Sequence, residues 1–165
     1  VTGLWLTGEL ERSGDLMVNV AKGTRRIYGV TLDPKLRGLI ERMSEEASRL
    51  MKLALDAYAE RNASLGVAID DIDDALDTLH GDYIEAIFES HATNDIGLQA
   101  SVQLALIGRY YERIGDHAVN IGQRVQYMVT GWLPEHTGAA RLVARRSLEA
   151  EIGVEGSVSE AENGR

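Results

Sequence analysis

The sequence predicts an all-α protein, an antiparallel three-helix bundle preceded by one helix of a second, truncated bundle. Apolar residues recur about every 3.5 residues over three long stretches, and no segment alternates long enough to form a convincing strand. The only two prolines, Pro34 and Pro134, both fall at breaks in this helical pattern. Residues 11–19 are repeated in residues 112–120, with six of nine positions identical. The helices that carry this repeat are therefore expected to be equivalent elements of two tandem bundles.

The length, net charge and cysteine content of the chain exclude several classes of protein and several types of metal site. A length of 165 residues suits one domain, or one domain plus part of another. The net charge of −9 argues against a nucleic-acid binder, because neutralising phosphates requires clustered Lys and Arg. The absence of cysteine excludes disulfides, iron–sulfur clusters and thiolate zinc, which leaves carboxylates and four histidines as metal ligands. No apolar run approaches ~18 residues, so we expect no membrane insertion and a cytoplasmic location.

The first predicted helix covers about residues 2–28 and would be the last helix of the truncated bundle, whose domain we place at 1–30. Its apolar stripe is interrupted by Ser13 and Thr24, so it should not stay folded alone. We therefore expect it to need partners that lie outside this chain or in a neighbouring molecule. The apolar stripe consists of Leu6, Leu10, Met17, Val20 and Ile27.

The three-helix bundle is predicted over residues 31–131. Asp33 suits the N-cap of its first helix, because Pro34 follows at the first helical position. Breaks are expected at residues 61–64 and in a polar loop at 90–95. Helices of ~25–35 residues joined by short loops should fold back on one another. Residues 132–165 are rich in Glu, Gly and Ser, and we expect a disordered acidic tail.

The repeated segment carries an acidic pair with four-residue spacing. Glu112 and Asp116 are adjacent on one helix face, which, judged from the apolar stripe, points roughly away from the core. Like charges at this spacing destabilise an exposed helix by about 0.2–0.5 kcal/mol. Helix packing does not explain them, whereas a bound cation would. The equivalent pair in the first helix is Glu11 and Asp15.

Glycines accompany the second copy of the repeat. Each glycine inside a helix costs about 1 kcal/mol relative to alanine. Gly108, Gly115 and Gly122 are spaced seven residues apart beside the apolar stripe. A close approach of a neighbouring helix would compensate for this cost, and the spacing therefore predicts a tightly packed seam.

A second source of carboxylates lies in residues 70–77, on the helix expected to run antiparallel to the repeat. Both Asp73/Asp77 and Asp70/Asp74 have the four-residue spacing. Two acids from each helix would form a site of four carboxylates, which suits iron, manganese, magnesium or calcium, with zinc also compatible. The alternative interpretation is an acidic, solvated helix face.

A longer motif around the repeat resembles the signature of the PhoU family. It comprises Gly108-Arg109-Tyr110-Tyr111, Glu112-Arg113-Ile114-Gly115-Asp116-His117-Ala118-Val119-Asn120 and Val125-Gln126-Tyr127-Met128-Val129-Thr130-Gly131. The resemblance covers about residues 3–131. It implies two tandem three-helix bundles with acidic metal motifs, and a cytoplasmic homodimer or higher oligomer. It also implies a negative regulator of the phosphate-starvation response, acting between the ATPase of the Pst phosphate ABC transporter and a phosphate-sensing histidine kinase.

The resemblance also assigns metal ligands, for iron, zinc, manganese or magnesium. Glu112 and Asp116 match the motif of the last helix, and the middle-helix motif matches Asp73 and Asp77 better than Asp70 and Asp74. Its first-bundle counterpart matches Glu11 and Asp15. The first two helices of that bundle are missing, so this last pair lacks its partner acids.

Three functions are weighed. The first is a non-enzymatic regulator with metal sites, and the second is a helical interaction module without metal. The third is a ferritin-like di-metal oxidase, which requires inward-facing Glu and two Glu-x-x-His motifs. Only Asp77-x-x-His80 approaches that motif, so this function is disfavoured. His117 lies between the core and outward faces and is interpreted as a packing or interface residue rather than a ligand.

Overall fold

The computed structural model describes residues 2–131, and that range is entirely helical apart from its connections. The all-α prediction is confirmed. No helix in this range is both long and apolar enough to cross a membrane. The predicted acidic tail, residues 132–165, lies outside the described residues. The helices are α1 (Thr2–Arg26), α2 (Pro34–Glu60), α3 (Ala63–Ala92) and α4 (Leu98–Thr130).

Local capping explains where α2 begins and ends. The Asp33 side chain accepts a hydrogen bond from the Leu36 amide at 2.9 Å, and Pro34 occupies the first turn, as predicted. Arg61 ends α2 in the left-handed conformation, with φ of 52°. Asn62 then caps α3 by accepting from the Leu65 amide at 3.0 Å. A connection of two residues leaves α2 and α3 antiparallel.

Two predicted boundaries differ from the structure. Helix α1 ends at Arg26 rather than near residue 28, because the chain turns at Gly29 with φ of +86°. Helix α3 continues beyond the predicted start of the polar loop to Ala92, because Ser90 lies on the buried face of the helix. The connection to α4 therefore occupies residues 93–97.

Helices α2, α3 and α4 pack against one another and share one apolar core. The glycine spacing on α4 correctly predicts the closest seam. A Cβ on Gly122 would lie 2.6 Å from the Gly66 carbonyl oxygen, and one on Gly108 would lie 2.8 Å from the Tyr83 ring. The largest fully buried side chains are Tyr83, Leu36, Met43, Leu50, Ile69, Leu76, Leu104, Ile121 and Val125.

Helix α1 packs against α4, and none of its Cα atoms lies within 8 Å of a Cα atom of α2 or α3 in the described range. The two helices run antiparallel, since Arg26 donates to Gln103 at one end and Trp5 lies under the Arg124 guanidinium at the other, 5.6 Å from the ring centroid. The prediction that α1 finds no partner within this chain was therefore wrong.

The face that α1 buries matches the predicted stripe only in part, since Val20 is buried and Leu6 and Ile27 pack against the core. Leu10 and Met17 are exposed and line an open groove of about 470 Å³ between α1 and α2. The buried face instead includes the polar residues Glu9 and Ser13, together with Leu16. Polar groups within the contact face explain why the apolar pattern misplaced part of it. The division into domains at residue 30 stays a prediction.

Candidate metal centre

The acidic residues of α3 and α4 meet where Gly115 allows the two helices to approach. A Cβ on Gly115 would collide with Asp73 Oδ1 and would lie 2.7 Å from Leu76 Cδ2. The missing side chain therefore provides the space that the Asp73 carboxyl group occupies. Gly115 forms the floor of the candidate site.

Asp73 is the least solvated acid of the cluster formed by Asp73, Asp77, Glu112 and Asp116, hereafter the acidic cluster. Its Oδ1 atom is buried and accepts no hydrogen bond within residues 2–131. Burial, followed by the charges of Asp77, Asp116 and Glu112, raises the pKa of Asp73 from 3.8 to about 7. The pKa values of Asp77 and Glu112 are also raised, in each case mainly by burial and then by Asp116. The four acids therefore interact across the seam.

This raised pKa of Asp73 links folding to protonation. As the pH rises from 3.8 to about 7, the unfolded chain releases this proton while the folded protein retains it. The free energy of unfolding therefore falls across that window, because the unfolded state binds fewer protons. Above the window the folded protein carries an ionised, poorly solvated carboxylate. A nearby cation would remove this destabilisation.

The structure corrects the predicted exposure of Glu112. Its side chain is only 13% exposed and forms an ion pair with Arg109, whereas Asp116 is exposed as predicted. The outward direction was inferred from one apolar stripe, but α4 contacts three other helices and its sides are covered as well. The charge of Arg109, which is 52% exposed, opposes the rise in the pKa of Asp77 and contributes to the lowered pKa of His80. Its guanidinium therefore lies close to the acidic cluster.

His80 adds an unassigned nitrogen at the edge of the acidic cluster. Its Nε2 atom is buried and has no hydrogen-bond partner in the described range. Burial lowers the pKa of His80, and Arg109 lowers it further, against the opposing effect of Asp77. The imidazole is therefore neutral at pH 7 and has a nitrogen lone pair suited to a borderline metal. Sequence reasoning considered His80 as part of an imperfect oxidase motif and did not assign it as a ligand.

The remaining predicted acids are distributed differently. Asp74 is exposed, while Asp73 reaches Gly115 on α4, so the geometry favours the Asp73/Asp77 register over Asp70/Asp74. Glu11 and Asp15 are exposed on α1, which packs against α4 rather than α3. The structure therefore does not bring Glu11 and Asp15 into the acidic cluster.

The side chains of the acidic cluster are of a chemical type that binds divalent cations. Four carboxylates suit a hard or borderline divalent ion, and among them Asp73 has a buried oxygen that accepts no hydrogen bond in residues 2–131. However, no three His, Asp or Glu side chains in residues 2–131 are already arranged to hold one. The positive charge beside the acidic cluster is the Arg109 guanidinium, and the metal assignment stays a prediction.

A second buried polar group joins α1 to α4 and was missed by sequence reasoning. Glu9, 3% exposed, lies with Oε2 2.6 Å from His117 Nδ1. Arg12 donates to its other oxygen at 2.9 Å, and Asn120 donates to Oε2 at 3.4 Å. His117 is thus an interface residue, in line with its predicted role. No spacing rule connects Glu9 with a residue 108 positions away.

The fold and the site define a helical-bundle protein with a carboxylate cluster between two antiparallel helices. The PhoU domain family matches residues 40–125 of the chain. The chain therefore belongs to the PhoU family, and the predicted resemblance is confirmed.

Curated relatives extend the match beyond this domain. Phosphate-specific transport system accessory protein PhoU homolog 1 of Mycobacterium bovis and of Mycobacterium tuberculosis are each 35% identical over 130 residues, covering 78% of this chain. The PhoU homolog of Rhizobium meliloti is 30% identical over 130 residues, covering 79% of this chain and 55% of its own length. The chain spans only 58% of the length of the two mycobacterial relatives. No solved structure matches it.

Proposed function

We propose that this chain is part of a non-enzymatic regulator of phosphate transport that represses the phosphate-starvation response. The observation that carries the proposal is its membership of the PhoU family, together with relatives named as accessory proteins of phosphate-specific transport. In this proposal it acts in the cytoplasm, between the ATPase of the Pst transporter and a phosphate-sensing histidine kinase. It works as a homodimer or a higher oligomer.

The acidic cluster supplies the regulatory surface in this proposal. Asp73 and Asp77 from α3 and Glu112 and Asp116 from α4 would together hold iron, zinc, manganese or magnesium. The bound ion contributes positive charge that offsets the repulsion among these acids. The chain's own residues then keep α3 and α4 in register, because Asp73 stays seated against Gly115. The outer face of the seam is thereby fixed for a partner protein.

A second candidate is a helical interaction module that uses no metal. Two observations favour it. No three His, Asp or Glu side chains in residues 2–131 are placed to coordinate a metal ion, and Glu112 already forms an ion pair with Arg109. A ferritin-like oxidase receives less support, because Asp116 and Asp77 are exposed rather than directed into the core. Metal content separates these candidates.

Removing the α4 acids is expected to abolish metal retention. The purified Glu112→Gln/Asp116→Asn variant should lose most of the iron, zinc, manganese or magnesium that elemental analysis finds in the parent chain, because two of four ligands lose their charge. Glu41→Gln/Glu45→Gln is the matched control, since these acids have the same spacing on an exposed face of α2. Equal metal content in all three proteins would remove the site assignment.

The regulatory role predicts a phenotype under abundant phosphate. Deleting the gene in its host should derepress phosphate-regulon expression, and restoring the wild-type gene should repress it again. Unchanged expression in the deletion strain would contradict the regulatory role. Complementation by the Glu112→Gln/Asp116→Asn gene would instead preserve that role and favour the module without metal.

A further inference from the structure

The Arg109 guanidinium supplies positive charge beside the acidic cluster, as a bound cation would. We propose that Arg109 is a built-in competitor, which neutralises Glu112 in the metal-free protein and must release this carboxylate when a divalent cation binds. This inference rests on the proposed metal site. It assigns Arg109 a role in setting the affinity of the site rather than in holding the ion.

The contacts of Arg109 support competition. Its Nη1 atom pairs with Oε2 of Glu112, a carboxylate that is otherwise largely shielded from water. An oxygen engaged by a guanidinium cannot at the same time offer that lone pair to a metal. Since half of the Arg109 side chain is exposed, its head can move into solvent without unpacking the core.

The influence of Arg109 extends over both helices. It stabilises the charged form of Asp77 on α3 as well as that of Glu112 on α4, and it opposes protonation of His80. The positive charge of this one guanidinium therefore acts on acids of both helices from which a cation would draw its ligands. A divalent ion at this place would repel it, which adds to the exchange at Glu112.

In the internal repeat, the acidic pair occurs once with this arginine and once without it. At the 101-residue offset that aligns Glu112 with Glu11 and Asp116 with Asp15, the position of Arg109 is occupied by Gly8. The acidic spacing therefore occurs in this chain without the competing guanidinium. Only the second copy of the motif is preceded by this arginine.

The test compares Mn²⁺ binding to the metal-free 165-residue chain and two variants by calorimetry. Arg109→Gln should lower the Kd for Mn²⁺ about tenfold, the effect expected when one charge-assisted pair no longer competes. Arg113→Gln is the matched control, because it removes an equal charge from an exposed arginine of α4 that forms no ion pair with the acidic cluster in residues 2–131. Its Kd should stay within about twofold of the parent value, since screening by solvent and salt weakens the effect of an exposed charge that engages no ligand.

A second readout follows the guanidinium directly. In NMR spectra, the Arg109 side-chain Nε–H signal should shift towards its solvent-exposed position when diamagnetic Mg²⁺ is added. Mn²⁺ binding by the parent chain with an unchanged or higher Kd in Arg109→Gln would overturn the competitor role but leave the metal site intact. No binding by the parent or by either variant would overturn both. Binding gained only in Arg109→Gln would support the competitor role in its strongest form.

Discussion

Replacing His117 by leucine is expected to release α1 from α4 and to lower the free energy of unfolding by about 3 kcal/mol. The variant removes the 2.6 Å hydrogen bond to Glu9 and leaves a 3% exposed carboxyl group with weaker partners. Breaking one side of a buried polar or ionic pair costs about 3–5 kcal/mol, because the remaining group keeps its desolvation penalty. Since Arg12 and Asn120 continue to donate to Glu9, the lower end of that range applies.

The measurement combines urea denaturation with hydrogen exchange. Amides of α1 should exchange faster in His117→Leu, while those in the middle of α2 stay protected, because α1 packs against α4 rather than α2. Arg12→Gln is a suitable control. It removes a partner of the same carboxyl group from a side chain that is 67% exposed, and should cost about 1 kcal/mol or less.

A double-mutant cycle separates the pair from simple loss of packing. Glu9→Leu/His117→Leu replaces both polar groups with apolar ones, and such replacement of a buried pair is often neutral. The double variant should therefore be more stable than His117→Leu alone, with a coupling energy of about 2 kcal/mol. Strictly additive losses would show that Glu9 and His117 do not act as a pair.

The elements that sequence reasoning predicted well depend on local chemistry. Asp33 and Pro34 determine the start of α2 through contacts within one helical turn. The spacing of Gly115 and Gly122 implies a close helix neighbour whichever helix that is, and α3 fills this place. Asp73 and Glu112 then meet because antiparallel helices with short connections leave little choice of register.

The elements that were mispredicted depend on contacts that sequence spacing does not encode. Helix α1 buries Glu9, which an apolar-periodicity argument assigns to solvent, and its partner His117 is on the last helix. Glu112 was placed on the outer surface because one stripe cannot show that α4 is covered on several sides. Arg109 was unrecognised as a site residue, since an arginine three residues before a glutamate is ordinary on any exposed helix.

The second large loss of stability is expected from a substitution where the backbones of α3 and α4 cross. Gly122→Ala should destabilise the folded protein by about 3 kcal/mol, although alanine is intrinsically the better helix former by about 1 kcal/mol. The new Cβ would lie 2.6 Å from the Gly66 carbonyl oxygen, and a Cβ on Gly66 would meet Gly122 at the same distance. Because the obstructing atoms are backbone, no rotamer change relieves the clash, and the two helices must separate.

Gly81→Ala is the internal control for Gly122→Ala, because a Cβ at Gly81 on α3 would meet nothing within 4 Å. It should stabilise the protein by up to about 1 kcal/mol through helix propensity alone, so the two alanines should shift the urea midpoint in opposite directions. Separation at Gly122 should also loosen the seam two turns away, where Asp73 packs against Gly115. A Gly122→Ala protein as stable as its parent would show that the helices do not cross this closely, and the packing that seats Asp73 beside Glu112 would need revision.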